Sequence, residues 1–184
     1  MTTRPDLSDA LANAELLFDR VAIDAAIADM AERIRADYAG ARPLYLTVMN
    51  GALPFAGLLA LQVGEGVDLE FDYLHATRYR GHTSGGELHW LHRPRTPLAG
   101  RRVLLVDDIL DEGHTLAGIR DWCLGEGAAE VRIAAMTRKD HDRCVPGLVA
   151  DYVGIDVPDR YVFGFGMDYH EQGRNLPAIY ALKD

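Results

Sequence analysis

The chain has 184 residues, 48% hydrophobic and 26% charged, a composition typical of a globular protein and unlike that of a disordered or collagen-like chain. Its net charge of −9 argues against nucleic acid or an anionic membrane surface as a partner. No apolar run approaches the roughly 20 residues of a membrane helix, no signal-peptide pattern is present, and Cys123 and Cys144 are the only cysteines. We expect a single domain over residues 1–184, in the cytoplasm, with no membrane or nucleic-acid partner.

Apolar periodicity predicts alternating helices and strands in the first half of the chain. A helix over 20–38 is indicated by apolar residues spaced three or four apart: Ile23, Ile27, Met30 and Ile34. A buried strand is expected at 44–49, and an Asn-Gly turn then leads to a second helix over 53–61. Alternation over 69–73 indicates a strand with one wet face. Residues 78–95 are rich in Gly, His and Arg and predict a long functional loop that can carry a hairpin.

The second half of the chain predicts a strand, helix, strand unit. The continuous apolar run at 103–106 is typical of a strand covered on both faces of a parallel sheet. A helix over 113–127 and a strand over 131–136 follow, and parallel pairing would make this crossover right-handed. Two last short strands are expected at 152–155 and 161–165. We find no repeat or linker, so the whole pattern predicts one α/β domain.

The strongest chemical signal lies where the strand at 103–106 ends in two carboxylates, Asp107 and Asp108. Ligands of open α/β sheets bind at the carboxyl ends of strands, and these carboxylates suit sugar hydroxyls or a hydrated Mg²⁺. Asp111 then precedes Gly113 and Thr115 at a predicted helix start. Backbone N–H groups at a helix N-terminus, with a glycine that allows close approach and a hydroxyl donor, can hold a phosphate.

Other interpretations of these acidic and histidine residues stay open at this point. An aspartate near a helix start is often only a cap. An apolar strand that ends in Asp-Asp also occurs in nucleotide triphosphatases, although the sequence lacks their Gly-x-x-x-x-Gly-Lys-Ser/Thr loop. A phosphoacceptor receiver domain would spread its acidic residues over two strands. His89 and His92 have a metal-like spacing, but no cysteine accompanies them as in zinc sites.

The segment 103–116 resembles the phosphoribosyl-diphosphate (PRPP) motif of type I phosphoribosyltransferases, and residues 44–180 are similar to their 6-oxopurine branch, the hypoxanthine-guanine phosphoribosyltransferases. The resemblance implies a central, mostly parallel sheet flanked by helices, with a small hood and a mobile lid loop. It implies a Mg²⁺-dependent purine salvage enzyme that converts PRPP and hypoxanthine or guanine to IMP or GMP and pyrophosphate, as a homodimer or homotetramer. A PRPP-binding regulator of the same fold and a xanthine-preferring transferase are the alternatives.

The resemblance also implies which residues bind PRPP. Asp107 and Asp108 would hold the ribose hydroxyls, and Asp111, near N7 of the purine, would be the general base. The 5′-phosphate would be held by Asp111, Glu112, Gly113, His114 and Thr115. The pyrophosphate would be held by Met49, Asn50, Gly51 and Arg174, with a cis peptide bond between Met49 and Asn50. The family usually has Thr or Ser in place of Glu112, and Lys or Arg in place of Asn50, so Arg174 is the expected cation.

The remaining implied residues concern the purine, the metal and the lid. Lys139 would donate to O6 and so select a 6-oxo over a 6-amino purine, because a lysine cannot accept a hydrogen bond. Tyr161 would stack on the base, and Val162 would offer it backbone groups. Asp168 would belong to the purine site and would also bind Mg²⁺ together with Asp107 and Asp108, and Arg78 and Tyr79 would begin the lid. Without the resemblance, Lys139 would be a surface charge, Tyr161 a core residue and Asp168 a cap.

Overall fold

Helices and strands alternate along residues 5–78 and 88–183, the part of the chain that the computed structural model describes. In chain order they are α1 (Leu7–Ala12), β1 (Ala14–Phe18), α2 (Arg20–Asp37), β2 (Leu44–Val48), α3 (Leu53–Val63), β3 (Glu70–Arg78), β4 (Leu88–His92), β5 (Arg102–Leu110), α4 (His114–Gly125), β6 (Glu130–Lys139), β7 (Tyr152–Val157), β8 (Val162–Phe163) and β9 (Ile179–Leu182). None of the helices in these two ranges is both long enough and apolar enough to cross a membrane.

The central sheet has six strands in the order β4-β3-β2-β5-β6-β7. All neighbours are parallel except β4, which is antiparallel to β3 at the edge. Strand β5 lies inside the sheet, and its alternate side chains enter two different hydrophobic cores: Leu104 and Val106 pack on one face, Val103 and Leu105 on the other. This two-sided burial explains the continuous apolar run, and it confirms the predicted mostly parallel sheet flanked by helices.

A second, small sheet joins the two ends of the chain in the order β1-β9-β8. Its strands are antiparallel, and the register pairs Ala14 with Leu182 and Val162 with Ala181. This sheet corresponds to the hood that the resemblance implied. The sequence pattern did not predict α1, β1 or β9, because these elements are short and their pairing joins distant parts of the chain.

Several elements differ in extent from the prediction. Strand β5 continues through both aspartates to Leu110, since its parallel ladder with β6 extends to the pair Leu110–Arg138. Strand β8 covers only 162–163, less than the predicted 161–165. Strands β3 and β4 pair antiparallel, as expected for a hairpin in the loop 78–95. Arg78 is the last residue of β3, while Tyr79 lies outside the described residues.

Candidate active site

A cavity of about 1210 Å³ opens at the carboxyl ends of β2, β3 and β5. All the residues expected to bind PRPP line it, together with Asp168: Met49, Asn50, Gly51, Asp107, Asp108, Asp111, Glu112, Gly113, His114, Thr115, Asp168 and Arg174. They come from four separate stretches of sequence. The parallel sheet brings the stretches after β2 and along β5 together because the carboxyl ends of its strands meet at one edge, whereas Asp168 and Arg174 come from the segment between β8 and β9.

The floor of the cavity holds the two adjacent carboxylates of β5. Asp108 is only 9% exposed, and its backbone N–H donates to Asp107 Oδ1 at 2.9 Å. Burial raises the pKa of both carboxyl groups, and the neighbouring Asp108 raises the pKa of Asp107 further. The positive charge of Arg174 offsets part of this effect on the pKa of Asp108. Two such groups are stabilised by hydroxyl donors or by a cation.

This acidic pair also fits a weakly held Mg²⁺. A bound cation favours ionisation of buried carboxylates, which counteracts the burial that raises their pKa. Within the described ranges no cluster of three or more His, Cys, Asp or Glu side chains could hold a metal alone. Protein Mg²⁺ sites of this kind use one or two carboxylates and take their other ligands from water and substrate phosphates. Asp107, Asp108 and Asp168 all line the cavity where such phosphates would lie.

The start of α4 forms one wall of the cavity. Gly113 precedes the helix with a left-handed φ of 78°, and a Cβ at this position would collide with Leu148. Glycine is therefore required for this turn on both conformational and steric grounds. The loop is fixed from outside by Val145, whose N–H donates to the Glu112 carbonyl at 2.9 Å. The first N–H groups of a helix have no partner within it, so this wall can bind an anion.

The opposite wall contains the loop after β2 and the guanidinium of Arg174. The Met49–Asn50 peptide bond is cis, as the resemblance implied. Arg174 Nη1 donates to the Gly166 carbonyl at 2.8 Å, and Nη2 pairs with Asp168 Oδ1 at 2.8 Å. The cation expected to replace a basic residue at Asn50 therefore lies in the cavity, already oriented by Asp168.

Asp111 lies between the helix start and the end of β6, and both of its oxygens are engaged. Lys139 Nζ lies 2.9 Å from Oδ2, and His141 Nε2 lies 2.7 Å from Oδ1. Burial raises the pKa of Asp111, but the hydrogen bonds from Lys139 and His141 outweigh this effect and the pKa is lowered. Asp111 is therefore an ionised proton acceptor at neutral pH. Sequence reasoning missed His141, whose only signal was its position two residues after Lys139.

Of the residues expected to hold the purine, Asp168 lines the main cavity, whereas Lys139, Tyr161 and Val162 are not part of its described lining. Lys139 lines a smaller neighbouring cavity of about 350 Å³ together with His141. Tyr161 is 44% exposed, and its hydroxyl donates to the Asp168 carbonyl at 3.2 Å. Val162 is buried in β8. Lys139 is thus joined to the site through Asp111, and Tyr161 is joined to it through Asp168.

Comparisons with known proteins agree with this geometry. The model of the phosphoribosyl transferase domain family matches residues 14–172. A hypoxanthine-guanine phosphoribosyltransferase of Streptococcus thermophilus is 36% identical over 171 residues, which are 92% of this chain and 93% of that protein. A solved hypoxanthine phosphoribosyltransferase of Staphylococcus aureus superposes with a TM-score of 0.87 at 26% identity and 97% coverage of both chains. One from Trypanosoma cruzi gives 0.85 at 30% identity, covering 94% of this chain and 97% of that one. The chain belongs to the type I phosphoribosyltransferase family, in its hypoxanthine-guanine branch.

Proposed function

We propose that this protein is a Mg²⁺-dependent purine salvage enzyme that transfers the 5-phosphoribosyl group of PRPP to hypoxanthine, guanine or both. The observation that carries the proposal is the position of Asp111, which lies between an anion-binding helix start and the lysine expected to recognise a 6-oxo group. The names of the relatives support the same activity. A regulator of the same fold is not favoured, since these relatives are enzymes and the charge of −9 does not suit nucleic acid.

PRPP would be bound by its two ends and by its ribose. The N–H groups from Glu112 to Thr115 would hold the 5′-phosphate, and the carboxylates of Asp107 and Asp108 would accept from the ribose hydroxyls. Asn50, Gly51 and Arg174 would hold the pyrophosphate on the opposite wall. Mg²⁺, held by one or two of the carboxylates of Asp107, Asp108 and Asp168 together with water and the substrate phosphates, would neutralise charge on the leaving group.

In the reaction, N9 of the purine forms a bond to C1′ while the bond from C1′ to the pyrophosphate oxygen breaks. The electron pair of the broken bond leaves with pyrophosphate, and the N7 proton passes to Asp111 Oδ2. Lys139 donates to O6, which favours a 6-oxopurine over adenine. Tyr79 in the lid would shield the reacting sugar from water.

The activity is tested by incubating the protein with PRPP, Mg²⁺ and one of four bases: hypoxanthine, guanine, xanthine or adenine. We expect IMP, GMP or both, and little AMP. Formation of XMP as the main product would favour the xanthine-preferring alternative. Absence of a nucleotide with every base would overturn the proposal.

We also propose that residues 1–184 form one domain, in the cytoplasm, that assembles as a homodimer or homotetramer. Both cysteines are free, as suits a reducing compartment. Light scattering coupled to size-exclusion chromatography measures the assembly directly, and a monomer at micromolar concentration would contradict it.

A further inference from the structure

His141 is the one neighbour of Asp111 for which the proposed reaction has so far given no role. Its side chain is only 4% exposed, although it follows the exposed end of a strand. Its Nε2 lies 2.7 Å from Asp111 Oδ1, while Lys139 Nζ lies 2.9 Å from Oδ2. The two oxygens of the carboxylate are therefore engaged by two different residues from the same stretch of chain.

The hydrogen bond at the second ring nitrogen of His141 indicates which nitrogen donates to Asp111. The backbone N–H of Arg143 donates to Nδ1 at 3.1 Å, so Nδ1 is an acceptor and carries no proton. The proton of the neutral imidazole then lies on Nε2 and is donated to Asp111. The turn at 141–143 thus directs Nε2 of His141, as a hydrogen-bond donor, at the general base.

Lys139 and His141 differ in what they do when the purine binds. Under the proposed function Lys139 donates to O6 of the base, so it is shared between O6 and Asp111 Oδ2. His141 donates to the other oxygen and is not among the described residues that line the PRPP cavity. Its bond to Asp111 can therefore persist through the reaction.

We propose that His141 is a positioning residue for the general base: it holds Asp111 Oδ1, so that Oδ2 stays directed at the N7 proton of the purine when Lys139 engages O6. The inference rests on the proposed function. After transfer the proton lies on Oδ2, and Oδ1 still accepts from His141.

Several other charged groups lie around this pair and bear on its titration. Arg143 and Lys139 add positive charge, while Glu112 and Asp159 add negative charge. Arg143 is itself paired with Asp159 at 2.8 Å and approaches Glu112 to 4.0 Å. A test of His141 should leave these four groups in place.

Two amide substitutions make this possible. His141→Asn keeps an acceptor for the Arg143 N–H, because asparagine readily accepts from the backbone two residues on, but its side chain is too short to reach Asp111. His141→Gln places its amide nitrogen near the position of Nε2 and keeps the donor. Neither side chain titrates, and the two variants separate the contacts of His141: asparagine keeps the one with the Arg143 N–H, and glutamine keeps the one with Asp111.

The pKa of Asp111 is measured in the unliganded proteins by carboxyl ¹³C NMR. We expect it to rise by about one unit in His141→Asn and to stay near the wild-type value in His141→Gln. The acid limb of kcat/KM for hypoxanthine should move in the same way. We expect kcat to fall about tenfold in His141→Asn and the KM for PRPP to stay within about twofold. An unmoved pKa in His141→Asn, or an equal shift in His141→Gln, would overturn the proposal.

The wild-type protein provides a test that does not depend on a variant folding. ¹⁵N NMR should show His141 protonated at Nε2 and unprotonated at Nδ1 near neutral pH, and the opposite tautomer would overturn the assignment. If the wild type forms nucleotide but the pKa of Asp111 is unchanged in His141→Asn, only the positioning role is refuted. Absence of nucleotide from the wild type would refute the proposed function, and the catalytic role of His141 with it.

Discussion

Replacing Gly51 with alanine tests whether the Asp108 carboxylate packs against the loop after β2. A Cβ at residue 51 would overlap the Asp108 carboxyl group, which is 9% exposed and has little space to move. Overpacking of this kind costs about 1–3 kcal/mol, which in a chain of this size lowers Tm by about 2–12 °C. A displaced Asp108 would also lose its contact with the ribose of PRPP. A hydrogen bond to a charged group is worth about 1.5–3 kcal/mol, so we expect Kd to rise about 10- to 100-fold.

Differential scanning fluorimetry measures Tm, and calorimetric titration with PRPP and Mg²⁺ measures the affinity. Gly57→Ala is the matched control, because Gly57 is exposed in α3 and a Cβ there meets nothing within 4 Å. Alanine is favoured over glycine in a helix by about 1 kcal/mol, so this control should raise Tm by about 2–4 °C and leave the affinity unchanged. A Gly51→Ala protein with wild-type Tm and affinity would refute the packing of Asp108 against this loop.

Three further changes probe the base, the surface charges and the metal. Asp111→Ala should lower kcat about 10²- to 10⁴-fold and keep PRPP affinity within about threefold. An unchanged rate of the chemical step in single-turnover kinetics would exclude Asp111 as the base. Burial raises the pKa of Glu130, but hydrogen bonds and ion pairs with Arg102 and Arg132 outweigh this effect and lower it below 4.5. The ionised Glu130 therefore stabilises the fold above about pH 4.5, and this stabilisation is lost as pH falls through the folded-state pKa. Because these side chains are about one-third exposed, Glu130→Gln should lower Tm by only about 1–4 °C at pH 7 and should have no effect near pH 3. An equal loss at both pH values would contradict a stabilising role of the ionised Glu130. EDTA should abolish activity, and Mg²⁺ should restore it. Mg²⁺ without substrate should leave Tm unchanged, since the described residues form no metal cluster of their own. Stabilisation by Mg²⁺ alone would reveal a preformed site.

The predicted elements that agree best with the structure are those whose pattern reflects local burial. Helix α2 buries one face and β5 buries both, and each of these situations leaves a periodicity in the sequence. Strands β1 and β9 leave no such signal. They are short, partly exposed, and paired with each other from the two ends of the chain, so the information that defines them is not local.

The structure brings most of the predicted site residues to one cavity, but sequence reasoning missed the contacts between them. The position of Asp107 and Asp108 at the end of a buried strand was enough to place them in a cleft. Lys139 and His141 engage opposite oxygens of Asp111 because of the turn after β6. Hydrophobic periodicity carries no information about the geometry of that turn. Likewise, Arg174 was expected as a cation, but its ion pair with Asp168 depends on the loop between β8 and β9.

The charge of the cavity shows how an acidic protein could bind a substrate as acidic as PRPP. Among the described residues of the lining, six carry a carboxylate and Arg174 alone carries a permanent positive charge; the six are Asp107, Asp108, Asp111, Glu112, Asp168 and Glu171. One guanidinium cannot balance both these groups and a polyphosphate. The backbone N–H groups at the start of α4 supply part of the missing attraction at one end of the substrate. Under the proposed function the remainder would arrive with the substrate as Mg²⁺, because buried carboxylates and a pyrophosphate that share a cation stabilise each other through it. The affinity for PRPP should therefore depend on Mg²⁺ far more steeply than the affinity for the neutral purine base.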